Sequence, residues 1–252
     1  MTVCYFTGTG NSLYVANRIG GKLLSIPKLM REERVDISDE AVGVVCPVYC
    51  GEMPKKVNEF FAKASIKADY FFFVCTYGMA DSVAKQNAVT AAQKAGLTVS
   101  YVNTIRMVDN FLPGFEMQNQ METAAGKGIE EHLDQICSDI AARKINPVTV
   151  GAGDKLKMNM LHQAMGKSVL KGIAAQSYIV NSDCILCGIC AKVCPANNIT
   201  VTDKVDFSDH CEVCYACLHN CPKNAIHLKN ERSSARFRNE HITLGEIIAA
   251  NG

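Results

Sequence analysis

Of the thirteen cysteines in this 252-residue chain, eight fall into two copies of one pattern, C-x2-C-x2-C-x3-C-P. The first copy is Cys184, Cys187, Cys190, Cys194 and Pro195; the second is Cys211, Cys214, Cys217, Cys221 and Pro222. Three thiolates two residues apart can wrap a cubic iron–sulfur cluster in one tight turn, while the fourth cysteine of each run ligates the other cluster. That assigns Cys184, Cys187, Cys190 and Cys221 to one [4Fe–4S] cluster, and Cys211, Cys214, Cys217 and Cys194 to a second. Zinc and disulfides are the competing readings. Structural zinc sites combine two closely spaced cysteine pairs, or one pair with histidines, and do not call for a third cysteine plus C-P in both halves. Pro195 and Pro222 turn the chain away without offering an N–H. Ile185, Ile189, Val213 and Leu218 are apolar neighbours able to shield the cubes.

A second chemical signal sits near the N-terminus. A strand-like run over residues 2–6 leads directly into Thr7, Gly8, Thr9, Gly10, Asn11 and Ser12, and a helical stripe of Leu13, Val15, Ala16, Ile19, Leu23 and Leu24 follows. Strand, hydroxyl- and glycine-rich turn and helix N-terminus together make an anion cradle, because turn and first-turn amides point at a phosphate. The loop has no lysine, unlike the triphosphate-binding loop, and its glycine spacing misses the dinucleotide pattern. The plainer reading is a turn with Asn11 or Ser12 capping the helix.

These two sites must be positioned by the elements between and around them. Leu23–Ile26 is expected as the second strand, with Arg34–Ile37 competing for that role. Ala41–Tyr49, Tyr70–Tyr77 and Leu97–Met107 read as further strands, with helices over Pro54–Ala64 and Asp81–Ala95. A long helical stretch covers Gln118–Lys144, where Gly126 and Gly128 are candidate interruptions. Val-, Ile- and Phe-rich strands alternating with helices predict an α/β fold, a doubly wound parallel sheet covered on both faces. Ligands of such sheets bind at the carboxyl ends of the strands. The loops there are Thr7–Ser12, then Pro47, Val48, Tyr49, Cys50 and Gly51, then Thr76, Tyr77, Gly78, Met79 and Asp81.

A linker is expected from Asn146-Pro147 to Gly153, then a basic amphipathic helix over 154–175 that packs on its own protein. Residues 177–229 hold both cysteine runs as an internal repeat. The tail, 230–252, starts basic and ends in Ile242, Leu244, Ile247 and Ile248, a stripe expected to dock. The domain expectation is therefore 1–146, 147–176, 177–229 and 230–252. A formal charge of +1 gives no reason to expect nucleic acid as a partner. No apolar stretch reaches the ~18 residues of a membrane span, and no leader is evident, so a cytoplasmic protein with reduced thiols is expected. Cys4, Cys46, Cys50, Cys75 and Cys137 lie outside the runs and read as inert thiols. His162, His210, His219 and His227 read as solvated or cluster-adjacent.

The T-G-T-G-N-S loop resembles the FMN-phosphate loop of flavodoxins, and the two tyrosine loops lie where flavodoxins bracket the isoalloxazine ring. The cysteine runs resemble bacterial ferredoxins. The whole order is similar to a family of fused flavodoxin–ferredoxin proteins, carried by T-G-T-G-N-S, P-V-Y-x-G-x-x-P at Pro47–Pro54, D-N-F at Asp109–Phe111, both cysteine runs, and R-F-R-N before the last helix. The chain departs from flavodoxins in its short stretch between the second and third strands and in lacking tryptophan. The resemblance implies FMN at the first loop, Tyr49 and Tyr77 at the ring with Asn110 and Phe111 nearby, and two [4Fe–4S] clusters in a small α+β ferredoxin-like unit. It also implies a redox role in anaerobic or facultative prokaryotes, with electrons stepping between a two-electron flavin and one-electron clusters. A redox partner protein is expected, and flavin and cluster meet within one chain, by a swinging domain, or across a homodimer. The alternatives are an FMN-dependent reductase and, third, an iron–sulfur redox sensor.

Overall fold

The computed structural model describes residues 1–49, 51–81, 83–146, 148, 151, 153, 156, 160 and 178–252. Its centre is a five-stranded parallel sheet of β1 (Thr2–Tyr5), β2 (Lys22–Ser25), β4 (Ala41–Pro47), β6 (Tyr70–Tyr77) and β7 (Tyr101–Arg106), in the order β2-β1-β4-β6-β7. Counting sheet strands along the chain gives 2-1-3-4-5, the doubly wound order of flavodoxin-like folds. The inner strands are almost continuously apolar because both faces are covered. Helices α1 (Asn11–Ile19) and α6 (Ile129–Ala141) cover one face, through Leu13, Val15, Leu133 and Ile136. On the other face lie α3 (Lys55–Lys63) and α4 (Ala84–Lys94), through Val57, Phe60, Ala88 and Val89. Cys4, Cys46 and Cys75 are fully buried here and Cys137 half-buried, while Cys50 lies outside the described residues.

Several expectations shift in detail. Lys22–Ser25 takes the second place in the sheet, entered through Gly20 and Gly21, both at positive φ. The competing segment becomes β3 (Asp36–Ser38), which pairs in parallel with β5 (Ser65–Lys67) as a separate two-stranded sheet. The last strand begins only at Tyr101. The stretch from 118 to 144 divides into α5 (Met117–Glu122), a 3-10 turn at Ala124–Lys127 and α6, with Gly128 at φ 60° between the last two. Gly126 does not break the 3-10 turn, but Gly128 supplies the left-handed residue that redirects the chain.

The cysteine-rich segment is two short antiparallel ladders and two single-turn helices. Strand β8 (Tyr178–Val180) pairs with β11 (Ile226–Leu228), and β9 (Ile199–Val201) with β10 (Val205–Phe207). The helices are α7 (Ile189–Lys192) and α8 (Ala216–His219). The C-terminal α9 (Leu244–Asn251) opens with a reciprocal capping box between Thr243 and Glu246. It docks as its apolar stripe predicts, contacting both α7 and α2 (Ile26–Leu29). Ile247 and Ala250 are fully buried, and the Asn251 amide donates to the carbonyls of Thr7 and Val193 at 3.1 and 3.0 Å. The amphipathic helix expected over 154–175 falls, apart from Leu156 and Met160, outside the described residues, as does His162. No described helix is long and apolar enough to cross a membrane.

One sheet position shows how tightly the core is fitted. A Cβ on Gly43 would lie 2.0 Å from Cζ of Phe72, its neighbour on β6, so the Phe72 ring occupies the space a side chain would need. Gly43→Ala should therefore destabilise the protein by about 1–3 kcal/mol, and combination with Phe72→Leu should recover part of the loss. Thermal melts of the two variants test this; an unchanged Tm in Gly43→Ala would mean the ring moves aside freely.

Candidate iron–sulfur centre

The eight run cysteines divide between two cavities. One is lined by Cys194, Cys211, Cys214 and Cys217. The other is lined by Cys184, Cys187, Cys190 and Cys221. Each therefore takes three thiols from one run and the fourth from the other, the grouping that the spacing predicts. Among the described residues no three His, Cys, Asp or Glu side chains converge closely enough to hold a single ion. Four sulfurs standing around a gap fit a polynuclear cluster seated between them.

The loops that present these thiols are conformationally unusual in the same way. Leu186, Gly188 and Asn197 have φ of 55°, 73° and 52°; Val213, Tyr215 and Asn224 have 56°, 56° and 48°. Each second-run residue stands at the equivalent place in its repeat. Left-handed backbone is uncommon for non-glycine residues and costly for a β-branched one such as Val213. Its recurrence in both loops identifies it as a requirement of the turn, which must aim three sulfurs inward within seven residues.

Backbone amides also repeat. Asn198 donates to Cys194 Sγ and Ala225 to Cys221 Sγ, both at 3.3 Å, and Val213 N–H reaches Cys211 Sγ at 3.3 Å. The Tyr178 hydroxyl lies 3.1 Å from Cys211 Sγ, and its ring stacks on Phe207 at 4.6 Å. Such N–H···S bonds stabilise negative charge on sulfur and tune a cluster's potential. Burial pushes the Cys214 and Cys217 thiols well above their ordinary range and raises Cys190 to about 11. Because iron takes thiolate, cluster binding at these positions must release protons.

The loop Thr7–Ser12 does lie at the carboxyl ends of the strands, beside the other two predicted loops, but it is closed. Thr7, Thr9 and Ser12 are 1%, 3% and 1% exposed. Among the described residues, these three side chains therefore face no open space. Their hydroxyls are engaged internally: Thr7 accepts from Gly10 N–H at 3.1 Å, Thr9 from Asn110 Nδ2 at 3.0 Å, and Ser12 pairs with Thr76 at 2.8 Å. Neither Asn11 nor Ser12 caps α1; the cap position is Gly10, at φ 102°. Asn239 N–H donates to Thr9 O at 2.9 Å, and its side chain reaches Asn11. A Cβ on Gly8 would meet the Cys214 carbonyl oxygen at 3.0 Å, and one on Gly10 would meet Asn239 and Ile242 at 3.0 and 3.1 Å. As arranged, the loop does not fit an FMN phosphate.

The flanking loops follow from local structure. Tyr49 and Glu52 exchange backbone hydrogen bonds across a tight turn in which Gly51 has φ 83°. The Gly51 carbonyl accepts from Asn87 at 2.8 Å. Tyr49 is held beside Gly8 and the second cysteine loop; burial, then the neighbouring Cys214 and Glu212, raise its phenol pKa. Val48 N–H bonds Thr76 O, tying the Pro47–Gly51 loop to the next strand end. Tyr77 is half-buried, its neighbour Met79 is exposed, and Asp81 accepts from Thr104. A Cβ on Gly78 would lie 2.1 Å from Asp109 Oδ2, so that glycine is required by close approach.

The two halves are fastened by Asn110, Phe111 and His219, which the sequence places near the flavin or a cluster, and by Glu212, which it does not single out. Asn110 donates to Thr9 Oγ1 and to the Cys214 carbonyl at 3.3 Å, joining first loop and second cluster loop. Phe111, its neighbour, packs its ring 6.0 Å from Tyr215. His219 is buried; its Nδ1 accepts from Phe237 N–H at 3.0 Å, so Nε2 donates to Asn110 O at 2.9 Å. Glu212, between Cys211 and Cys214, accepts from Lys55 and Lys56 N–H at 2.8 and 2.6 Å. Those amides open α3, whose cap residue Pro54 provides no side-chain acceptor. A carboxylate at a helix N-terminus also meets the favourable end of the dipole. The only available hints were an acidic residue inside an apolar cysteine loop and a helix lacking its own cap.

Glu212→Ala should leave two amides without their acceptor and lower stability by about 1–3 kcal/mol, with Glu212→Gln, which retains one acceptor, intermediate. Denaturation of anaerobically prepared protein measures both. Equal stability of all three proteins would show that the clamp contributes nothing.

The model of the 4Fe-4S binding domain matches residues 177–200, which include the first cysteine run. A search of curated proteins found no match. Among solved structures, the solution structure of two-electron reduced Megasphaera elsdenii flavodoxin is similar at 17% identity and a TM-score of 0.30, covering 50% of this chain and 98% of that chain. With the 2-1-3-4-5 sheet order, the chain joins a flavodoxin-like α/β unit to a ferredoxin-like iron–sulfur segment.

Proposed function

We propose that this protein carries electrons through two [4Fe–4S] clusters held by residues 177–229, supported on the α/β unit of residues 1–146 and fastened by the tail of 230–252. The observation that carries the reading is the exchange of the fourth cysteine between two cysteine-lined cavities. Cys190 and Cys194 line different cavities yet are four residues apart, Cys190 within α7 and Cys194 just beyond its end, and Cys217 and Cys221 stand in the same relation to α8. Two short covalent paths thus connect the sites, through a core containing Leu218, Ile226 and Tyr215. This core limits water around the sulfurs, while the loop amides offset their charge.

The T-G-T-G-N-S loop and its convergence with the Tyr49 and Tyr77 loops speak for FMN in the α/β unit, but the loop as arranged does not admit its phosphate, and we assign no flavin there. Its entry requires Asn110, Asn239 and Ile242 to be displaced, so the electron path proposed runs through the clusters alone. A reductase with substrate on a flavin needs an open face above those loops. The burial of Thr7, Thr9 and Ser12 favours a carrier, exchanging single electrons with a partner protein.

Anaerobically purified protein should contain about eight irons and eight sulfides, with two interacting reduced clusters by EPR; four irons, or zinc, would overturn the reading. Fluorescence titration with FMN tests the cover separately. Asn239→Ala combined with Ile242→Ala should tighten FMN binding by at least ~10-fold, about 1.4 kcal/mol. Tight binding by the unaltered protein, unaffected by these substitutions, would mean that the cover is no barrier.

A further inference from the structure

The two cysteine loops are repeats of one another, but they meet opposite surroundings. In the second loop Glu212, Val213, Cys214 and Tyr215 are 8%, 7%, 7% and 2% exposed, pressed against α3 and the Thr7–Ser12 loop. Their equivalents in the first loop are Ile185, Leu186, Cys187 and Gly188. Ile185 is 60% exposed, Leu186 43%, and Cys187 is exposed as well. Where the second loop carries the carboxylate that clamps it to the α/β unit, the first presents an isoleucine to solvent. Ile185 and Leu186 also line the first cavity, beside Cys187, so its sulfurs lie at or just under the surface.

We propose that the Cys184–Gly188 loop is the electron port of this protein, where a small one-electron carrier protein docks on Ile185 and Leu186. The proposal rests on the two-cluster reading and adds an order to it, with the Cys211–Cys217 cluster inner and the Cys184–Cys190 cluster outer. Two large apolar side chains offer far less than the ~800 Å² per partner of a standard stable interface. That excludes a lasting dimer on this patch and suits the small, transient contacts of redox encounters. The exposed charges beside it, Asp183 and Lys223, are of opposite sign and set up no strong steering field. Recognition is therefore apolar, by a carrier with an uncharged surface over its own metal centre. The loop is pre-shaped for this, since Leu186 and Gly188 both hold left-handed backbone.

The test uses full-length, cluster-loaded protein, reduced anaerobically and mixed in a stopped-flow instrument with oxidised rubredoxin, a one-iron carrier that bleaches on reduction. Ile185→Glu should slow this transfer at least ~10-fold, while oxidation by ferricyanide, which needs no docking, is unchanged. Ile145→Glu, at a position 64% exposed on the α/β unit, should alter neither rate. Should Ile185→Glu lose iron, Leu186→Asn replaces it, because asparagine accepts left-handed backbone. An unchanged rubredoxin rate in the iron-replete variants overturns the port. So does an equal loss in Ile145→Glu, or wild-type protein that reduces ferricyanide but not rubredoxin. Conversion of a dimer to a monomer by Ile185→Glu in sedimentation assigns the patch to a second copy and also overturns it. Wild-type protein without eight irons would instead sink the two-cluster reading itself.

Discussion

Neither cysteine cavity can close without the other, because Cys194 and Cys221 each leave their own run to complete the opposite set. Much of the surrounding structure follows from this exchange. Each run must turn sharply enough to gather three sulfurs, then travel one helical turn before delivering the fourth, which fixes the lengths of α7 and α8. The turn demands left-handed backbone at Leu186 and Val213, where a β-branched residue is held against its preference. Such strain persists only when surrounding contacts over-determine it. Cluster ligation would supply the strongest of those contacts, so folding and metal binding are coupled in this segment.

A duplicated motif predicts two equivalent sites, and the tertiary structure removes the equivalence. Glu212 commits the second loop to α3, Asn110 commits its Cys214 carbonyl to the first loop, and Tyr178 with Phe207 closes over Cys211. Among the described residues, none of these contacts has a counterpart around Ile185. The difference arises from residue type at matched positions, a carboxylate facing an isoleucine and a tyrosine facing a glycine. Potential depends on solvent exposure and on hydrogen bonds to sulfur, so two clusters in one repeat need not share a potential.

Much of this was legible in the residues alone. The strands announced themselves because β4 and β6 are apolar without a break, as strands buried on both faces must be. The division of the eight cysteines between two cavities follows from spacing, since C-x2-C-x2-C-x3-C-P leaves few other ways to group four thiols. What escaped were contacts distant in sequence. Glu212 finds α3 across 157 residues, and Asn251 finds Thr7 across 244. Residue type reveals that an asparagine can bridge two carbonyls, but not which two. The segment around β3 was misjudged as a rival second strand because a three-residue run carries too little pattern to reveal its partner.

The Thr7–Ser12 loop shows why even a specific motif does not fix occupancy. Its helix N-terminus and amides suit an anion, yet its oxygens are equally good acceptors. In this fold it is the oxygens that are served: Asn110 donates to Thr9 Oγ1, Asn239 to Thr9 O, Asn251 to Thr7 O. A phosphate would call on the donors instead. Cover and anion therefore compete for space and not for the same hydrogen bonds. Buried polar groups must be satisfied one way or another, and a neutral amide cover satisfies the acceptors without bringing a charge into the core. The same cover ties the tail and the second cysteine loop to the α/β unit, so whatever displaces it also loosens that loop. Binding at the first loop and the geometry of the iron–sulfur segment are thereby linked through three asparagines.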